Sequence, residues 1–204
     1  MNQQVVTLAR DAVKTARGSG QEVEVFSEEE VEKILFYIQD EKNASIRDKM
    51  IVYMLLYTGV RVSELVSIKL RDIDFFTREL RIIGKGGKYR EIPLKQEVIE
   101  TIKEYMETER KQNKFKESSY LILTQRAGRA HRDAVLKMLK RIGKKLGIKM
   151  YPHKFRHTFC SMLLKRGVPI TTVSKLAGHS NIRTTSDYYI NTSKKEKREA
   201  VELL

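Results

Sequence analysis

Residues 50–57, Met-Ile-Val-Tyr-Met-Leu-Leu-Tyr, are the longest apolar run in the 204-residue chain. No polar residue interrupts the run, so a helix built on it is apolar on every side and must be enclosed by other elements. Ser45 supplies a start and Gly59 a stop, which predicts a helix from about Ser45 to Tyr57 at the centre of the core. Eight residues fall far short of the roughly 20 that cross a bilayer. The opening residues hold no charged-then-apolar secretion signal. Cys160, the one cysteine, can make neither an internal disulfide nor a cysteine-rich zinc site. Secreted, membrane and zinc-finger classes drop out, and a cytoplasmic protein is expected.

Charge is distributed unevenly. The formal net charge is +14. Residues 1–100 hold 16 Lys+Arg against 17 Asp+Glu, whereas residues 101–204 hold 24 against 9. Within 110–183 there are 19 basic residues and two acidic ones, Glu117 and Asp133. Such a segment repels itself unless a polyanion lies against it, so nucleic acid is the expected partner. A solubilising surface or ribosomal RNA contact is the blander alternative.

Around the central helix the pattern is mostly helical. Ser27 with Glu30 forms a capping box ahead of a helix carrying Val31, Ile34, Leu35 and Ile38 on one face. A short helix covers Val62 to Val66. Glu79 to Ile83 and Tyr89 to Leu94 read as two strands joined by the turn Gly84-Lys85-Gly86-Gly87-Lys88. A helix is predicted from about Lys95 to Gln112, a short strand over Tyr120 to Thr124, and a basic helix from His131 to Leu146, ended by Gly147. Three shorter helices follow, around His153–Lys165, Ile170–Leu176 and Thr184–Ile190. The expected fold class is α+β, a mostly helical domain with one small antiparallel sheet.

Four clusters carry side chains suited to chemistry. Arg61, in Thr58-Gly59-Val60-Arg61, lies just beyond the most enclosed helix, where a charge needs a partner; Glu64 three residues on could be that partner in a purely structural ion pair. Lys85 sits between glycines that let the backbone approach a phosphate closely, although a lysine in a solvated turn is also common. His153 and Arg156 are spaced to share a helix face, with Phe155 pointing inward and His157 lying elsewhere. Finally, Leu176-Ala177-Gly178-His179 precedes Tyr188 and Tyr189, a pair that could equally be packing residues.

Together these are the parts for phosphoryl transfer without a metal. Fixed guanidinium groups stabilise charge spread over non-bridging oxygens. Tyrosine can serve as a nucleophile and lysine can protonate a leaving alkoxide. No set of carboxylates is arranged to hold Mg²⁺; Asp72 and Asp74 fall in a strand-turn region without a partner motif. No cofactor is expected.

The order and spacing of these motifs resemble the tyrosine recombinases, or phage-type integrases, over Glu22 to Thr192. The first arginine of that family matches Arg61 in Thr-Gly-Val-Arg-Val-Ser-Glu-Leu, and its hairpin lysine matches Lys85. Its His-x-x-Arg matches His153 and Arg156, and its Leu-x-Gly-His matches His179. The family nucleophile follows that histidine by nine residues, which selects Tyr188 over its neighbour Tyr189. The resemblance implies a catalytic domain over 22–192 that cleaves and rejoins double-stranded DNA through a 3′-phosphotyrosyl link, assembling as a tetramer on DNA. It also implies that Glu64 supports Arg61. Residues 1–21, ending in Gly18-Ser19-Gly20, read as a linker or remnant leading from an absent N-terminal DNA-binding domain. Residues 193–204 read as a tail that packs on a neighbouring protomer or lies in solvent. Rival readings are a helix-turn-helix regulator built on Pro169 to Tyr189, a type IB-like topoisomerase, and an RNA-binding accessory protein.

Overall fold

The computed structural model describes residues 24–84, 87 and 89–178. Helix α1 (Glu28–Gln39) begins at the expected capping box, with the Ser27 hydroxyl accepting from the Glu30 amide and the Glu30 carboxylate accepting from the Ser27 amide. Helix α2 (Ile46–Thr58) is the enclosed centre. Met50, Val52, Met54 and Leu55 are fully buried, while Tyr57 at its end is only partly covered. It packs against α1, α4 (Gln96–Tyr105) and α6 (Pro152–Lys165), so its apolar circumference is used on several sides.

After α2 come the short helix α3 (Val62–Leu65) and a 3-10 turn, Leu70–Asp72. Three antiparallel strands follow, β1 (Ile73–Asp74), β2 (Glu79–Ile83) and β3 (Tyr89–Pro93), in the order β1-β2-β3. The hairpin is the expected one; the two-residue β1 is an addition that its length hides from period-2 reading. Leu80 pairs with Ile92 and Ile82 with Arg90, so Arg90 stands on the apolar face of the sheet.

Two expectations need correction. The helix foreseen from Lys95 to Gln112 is α-helical only to Tyr105 and continues as a π-helical turn over Met106–Arg110. That wider turn ends on buried Arg110, which donates to the carbonyls of Lys116, Ser118 and Tyr120. The stretch Tyr120 to Thr124 forms no strand, only a single bridge between Lys69 and Tyr120. Leu121, Ile122 and Leu123 are buried, but their backbone is satisfied by scattered partners, including the Ile68 carbonyl and the Tyr105 hydroxyl.

Helix α5 (Arg132–Leu146) ends at Gly147 as expected and turns Val135, Leu139 and Ile142 inward. Arg132, Lys137, Lys140, Lys144 and Lys145 lie on its exposed side. Helix α7 (Ile170–Ala177) joins α6 through a small cluster of Phe159, Cys160, Val173 and Ala177, apart from the main core. The foreseen helix at Thr184–Ile190 and the segments 1–21 and 193–204 lie outside the described residues.

Candidate active site

The site is built where α2 ends. Gly59 closes that helix in the left-handed conformation (φ +60°). A side chain in place of its hydrogen would force Phe159 on α6 to move, because a Cβ would lie 2.3 Å from Phe159 Cδ1. The close approach lets Arg156, also on α6, donate Nη1 to the Gly59 carbonyl at 2.6 Å. Arg61 follows two residues later, its backbone amide donating to Glu64 Oε2 at 2.8 Å and its Nη1 to Glu64 Oε1 at 3.0 Å. The structural ion pair foreseen with Glu64 is therefore present. It leaves Nη2 of Arg61 to reach the Gly178 carbonyl at the end of α7, 3.2 Å away.

Arg156 is 4% exposed, and its Nη2 has no hydrogen-bond partner among the described residues. Burial and the nearby charge of Arg61 depress its pKa to about 10, so it remains a cation at neutral pH. A buried guanidinium nitrogen without a partner is costly unless an anion completes it. Arg156, held by the Gly59 carbonyl, and Arg61, held by Glu64 and the Gly178 carbonyl, are near enough to repel, and paired guanidinium groups of this kind can accept an oxyanion.

His153 is exposed on α6, one turn before Arg156. Phe155 points inward as expected and meets Phe26 edge-on at 4.8 Å. His157 does not lie elsewhere: its ring stacks on that of His153 with centroids 6.1 Å apart, because i and i+4 are also neighbours on a helix. Burial, with His153 and Arg156 alongside, lowers the His157 pKa to about 4, which keeps it neutral. Lys85, His179, Tyr188 and Tyr189 lie outside the described residues. The described residues that flank them are Gly84 and Gly87, whose carbonyl and amide meet at 3.2 Å across the hairpin turn, and Gly178 at the end of α7. A groove of about 410 Å³ beside Glu64 is bordered by Lys69, Arg71 and Arg81 and runs to Ile83 and Tyr89.

Sequence reasoning missed Arg90. Its guanidinium grips both oxygens of Glu64, Nη1 to Oε1 at 3.1 Å and Nη2 to Oε2 at 2.8 Å, and its Nε donates to the Leu176 carbonyl at 3.0 Å. The available signal was alternation, since Arg90 shares a face with Ile92, and an arginine facing inward requires a partner.

The model for the phage integrase family matches residues 24–196. This chain belongs to the phage integrase family. Among curated relatives of this phage integrase domain, tyrosine recombinase XerA of Pyrococcus furiosus is 38% identical over 180 residues, covering 86% of this chain and 60% of that protein. Tyrosine recombinase XerC of Staphylococcus epidermidis is 37% identical over 165 residues, covering 80% of this chain and 55% of that one. The chain thus spans little more than half the length of these relatives. Among solved structures, the Tn1549 transposon integrase in complex with circular intermediate DNA superposes with a TM-score of 0.77 at 26% identity, over 90% of this chain and 68% of that one. XerH site-specific recombinase bound to its difH substrate, in a pre-cleavage complex, gives 0.76 at 25% identity, over 89% and 54%. The α+β fold is that of these recombinases.

Proposed function

We propose that this chain is the catalytic domain of a site-specific tyrosine recombinase, spanning residues 22–192. The observation that carries the reading is the pair Arg61 and Arg156, held by the Gly178 and Gly59 carbonyls respectively, with a buried Arg156 nitrogen that has no acceptor among the described residues. In this reading both arginines hold the non-bridging oxygens of a scissile phosphodiester in double-stranded DNA. Tyr188 attacks the phosphorus, forming a 3′-phosphotyrosyl bond as the bond to the 5′ oxygen breaks. Lys85 protonates that oxygen, giving a free 5′-hydroxyl. His179 donates to a non-bridging oxygen, and His153 accepts the tyrosine proton or orients the phosphate. The phosphotyrosyl bond conserves the energy of the broken ester, so a second 5′-hydroxyl can displace Tyr188 and rejoin a strand without a cofactor.

Strand exchange between two duplexes needs several active sites, and a tetramer on DNA is the proposed assembly. The exposed lysines of α5 supply the non-specific grip on the duplex. The named activity of the relatives and the DNA in the XerH and Tn1549 complexes support the same partner. Among the described residues no helix is long and apolar enough to cross a membrane. The proposed place of action is the cytoplasm, on the nucleoid.

The test uses an end-labelled duplex chosen by binding from a randomised pool, then prepared as a panel nicked at successive positions. After incubation with the full chain in EDTA, a denaturing gel is expected to show a protein–DNA adduct at one nick position, absent for Tyr188→Phe. A chain that binds these duplexes but forms no adduct is a DNA-binding regulator, and the reading is wrong.

A further inference from the structure

Glu64 has four acceptor directions on its carboxylate, and all four are occupied. Oε1 accepts from Arg61 Nη1 and Arg90 Nη1; Oε2 accepts from the Arg61 amide and Arg90 Nη2. The two arginines are not equivalent. The Arg61 side chain is 40% exposed, whereas that of Arg90 is 11% exposed and that of Glu64 is 8%. Arg90 is thus the embedded partner, rooted in β3 opposite Ile82, and Arg61 is the one that faces outward.

Both guanidinium groups also reach the end of α7. Arg90 Nε donates to the Leu176 carbonyl and Arg61 Nη2 to the Gly178 carbonyl. Gly178 has φ +68°, and a Cβ there would fall 2.7 Å from Arg90 Nη1, so Arg90 fills the space a side chain would need. Among the described residues, helix α7 is otherwise held by a small apolar cluster with α6, and this polar contact ties it to the sheet and to Arg61.

We propose that Arg90 is a positioning residue, whose grip on Glu64 and on the Leu176 carbonyl fixes the Arg61 guanidinium against the α7–Gly178 turn. Arg90 touches no reacting atom. Without it, Glu64 keeps only its bonds to Arg61, and the two swing together on the exposed side of the site. The inference rests on the recombinase reading for its effect on rate, but the fixed orientation of Arg61 is a property of the fold itself.

The test compares the 204-residue chain with Arg90→Gln and Arg90→Lys. Single-turnover adduct formation on the duplex panel is expected to slow by about tenfold to a hundredfold in Arg90→Gln, the scale of a displaced catalytic group, with duplex affinity unchanged. Arg90→Lys restores charge but not the fork, and falls between the two. Because Arg90 acts through Arg61, adding Arg90→Gln to Arg61→Ala is expected to cost little more. Separately, NMR of guanidinium rotation, with the Arg61 signal assigned by its loss in Arg61→Lys, is expected to show restrained rotation in the native chain and free rotation in Arg90→Gln. Should Arg90→Gln fail to fold, Arg90→Lys serves both readouts. A wild-type rate, a cost fully additive with Arg61→Ala, or unchanged Arg61 rotation overturns the proposal. Absence of adduct in the native chain refutes the recombinase reading alone, because the rotation measurement then decides the positioning role.

Discussion

Arg156 Nη1 and the carbonyl of Gly59 lie 2.6 Å apart, and this bond ties α6 to the turn from which Arg61 emerges. Two cations that repel each other are held near one another because Arg156 is fixed to the Gly59 carbonyl while Arg61 is fixed to Glu64 on α3 and to the Gly178 carbonyl. The guanidinium geometry matters as much as the charge. Arg156→Lys is expected to keep duplex binding while cutting the rate of adduct formation by about 10²–10³, the usual cost of removing one donor to a developing oxyanion. Single-turnover cleavage alongside an affinity titration checks this; equal losses in both would assign Arg156 to simple binding.

The same turn predicts a stability cost for Gly59→Ala. The added methyl meets the Phe159 ring and the residue must hold φ +60°, so unfolding free energy is expected to fall by about 1–3 kcal/mol. Denaturant unfolding followed by far-UV circular dichroism measures it. A change within a few tenths would mean that α6 shifts freely, against its close packing on α2.

Much of this arrangement was legible beforehand because it is local. The α1 capping box, the stop at Gly59 and the His153–Arg156 spacing are set by residues three or four apart, and sequence reports such spacings directly. The placement of His157 failed although it is local, because i+3 and i+4 neighbours share one broad face. Arg90 was overlooked for a different reason. Its partner Glu64 is 26 positions away and its third contact, Leu176, is 86 away. Only the placement of β3 beside both α3 and α7 brings them together. The same holds for Tyr120 to Thr124, whose β-like composition reflects burial against partners distant in the chain.

The depressed pKa of His157 gives a pH dependence of stability. An unfolded histidine titrates near 6.5, whereas the folded one resists protonation until about pH 4. Between these values the unfolded chain binds a proton that the folded chain refuses, so stability falls as the pH falls through this window. Above pH 6.5 neither state binds it and the contribution is flat. Thermal melts from pH 7.5 to 4 are expected to show a shallower acid slope for His157→Gln than for the native chain. Parallel slopes would place the titration elsewhere.

Salt dependence reports on the α5 face. Lys137, Lys140 and Lys144 are exposed along this helix, and the chain carries a net charge of +14. Duplex affinity is expected to fall steeply between low and physiological salt. Each lysine-to-alanine change at a phosphate contact is expected to reduce the slope of log affinity against log salt by about one. A flat titration of the native chain would remove α5 as the DNA-facing surface.

In the recombinase reading a phenol oxygen becomes bonded to phosphorus at a site ringed by cations. Tandem mass spectrometry of the nuclease-trimmed, protease-digested adduct tests it most directly, by locating the nucleotide on the peptide that spans residues 184–193. Modification of Tyr188 is expected; modification of Tyr189, or of no tyrosine, would overturn the recombinase reading.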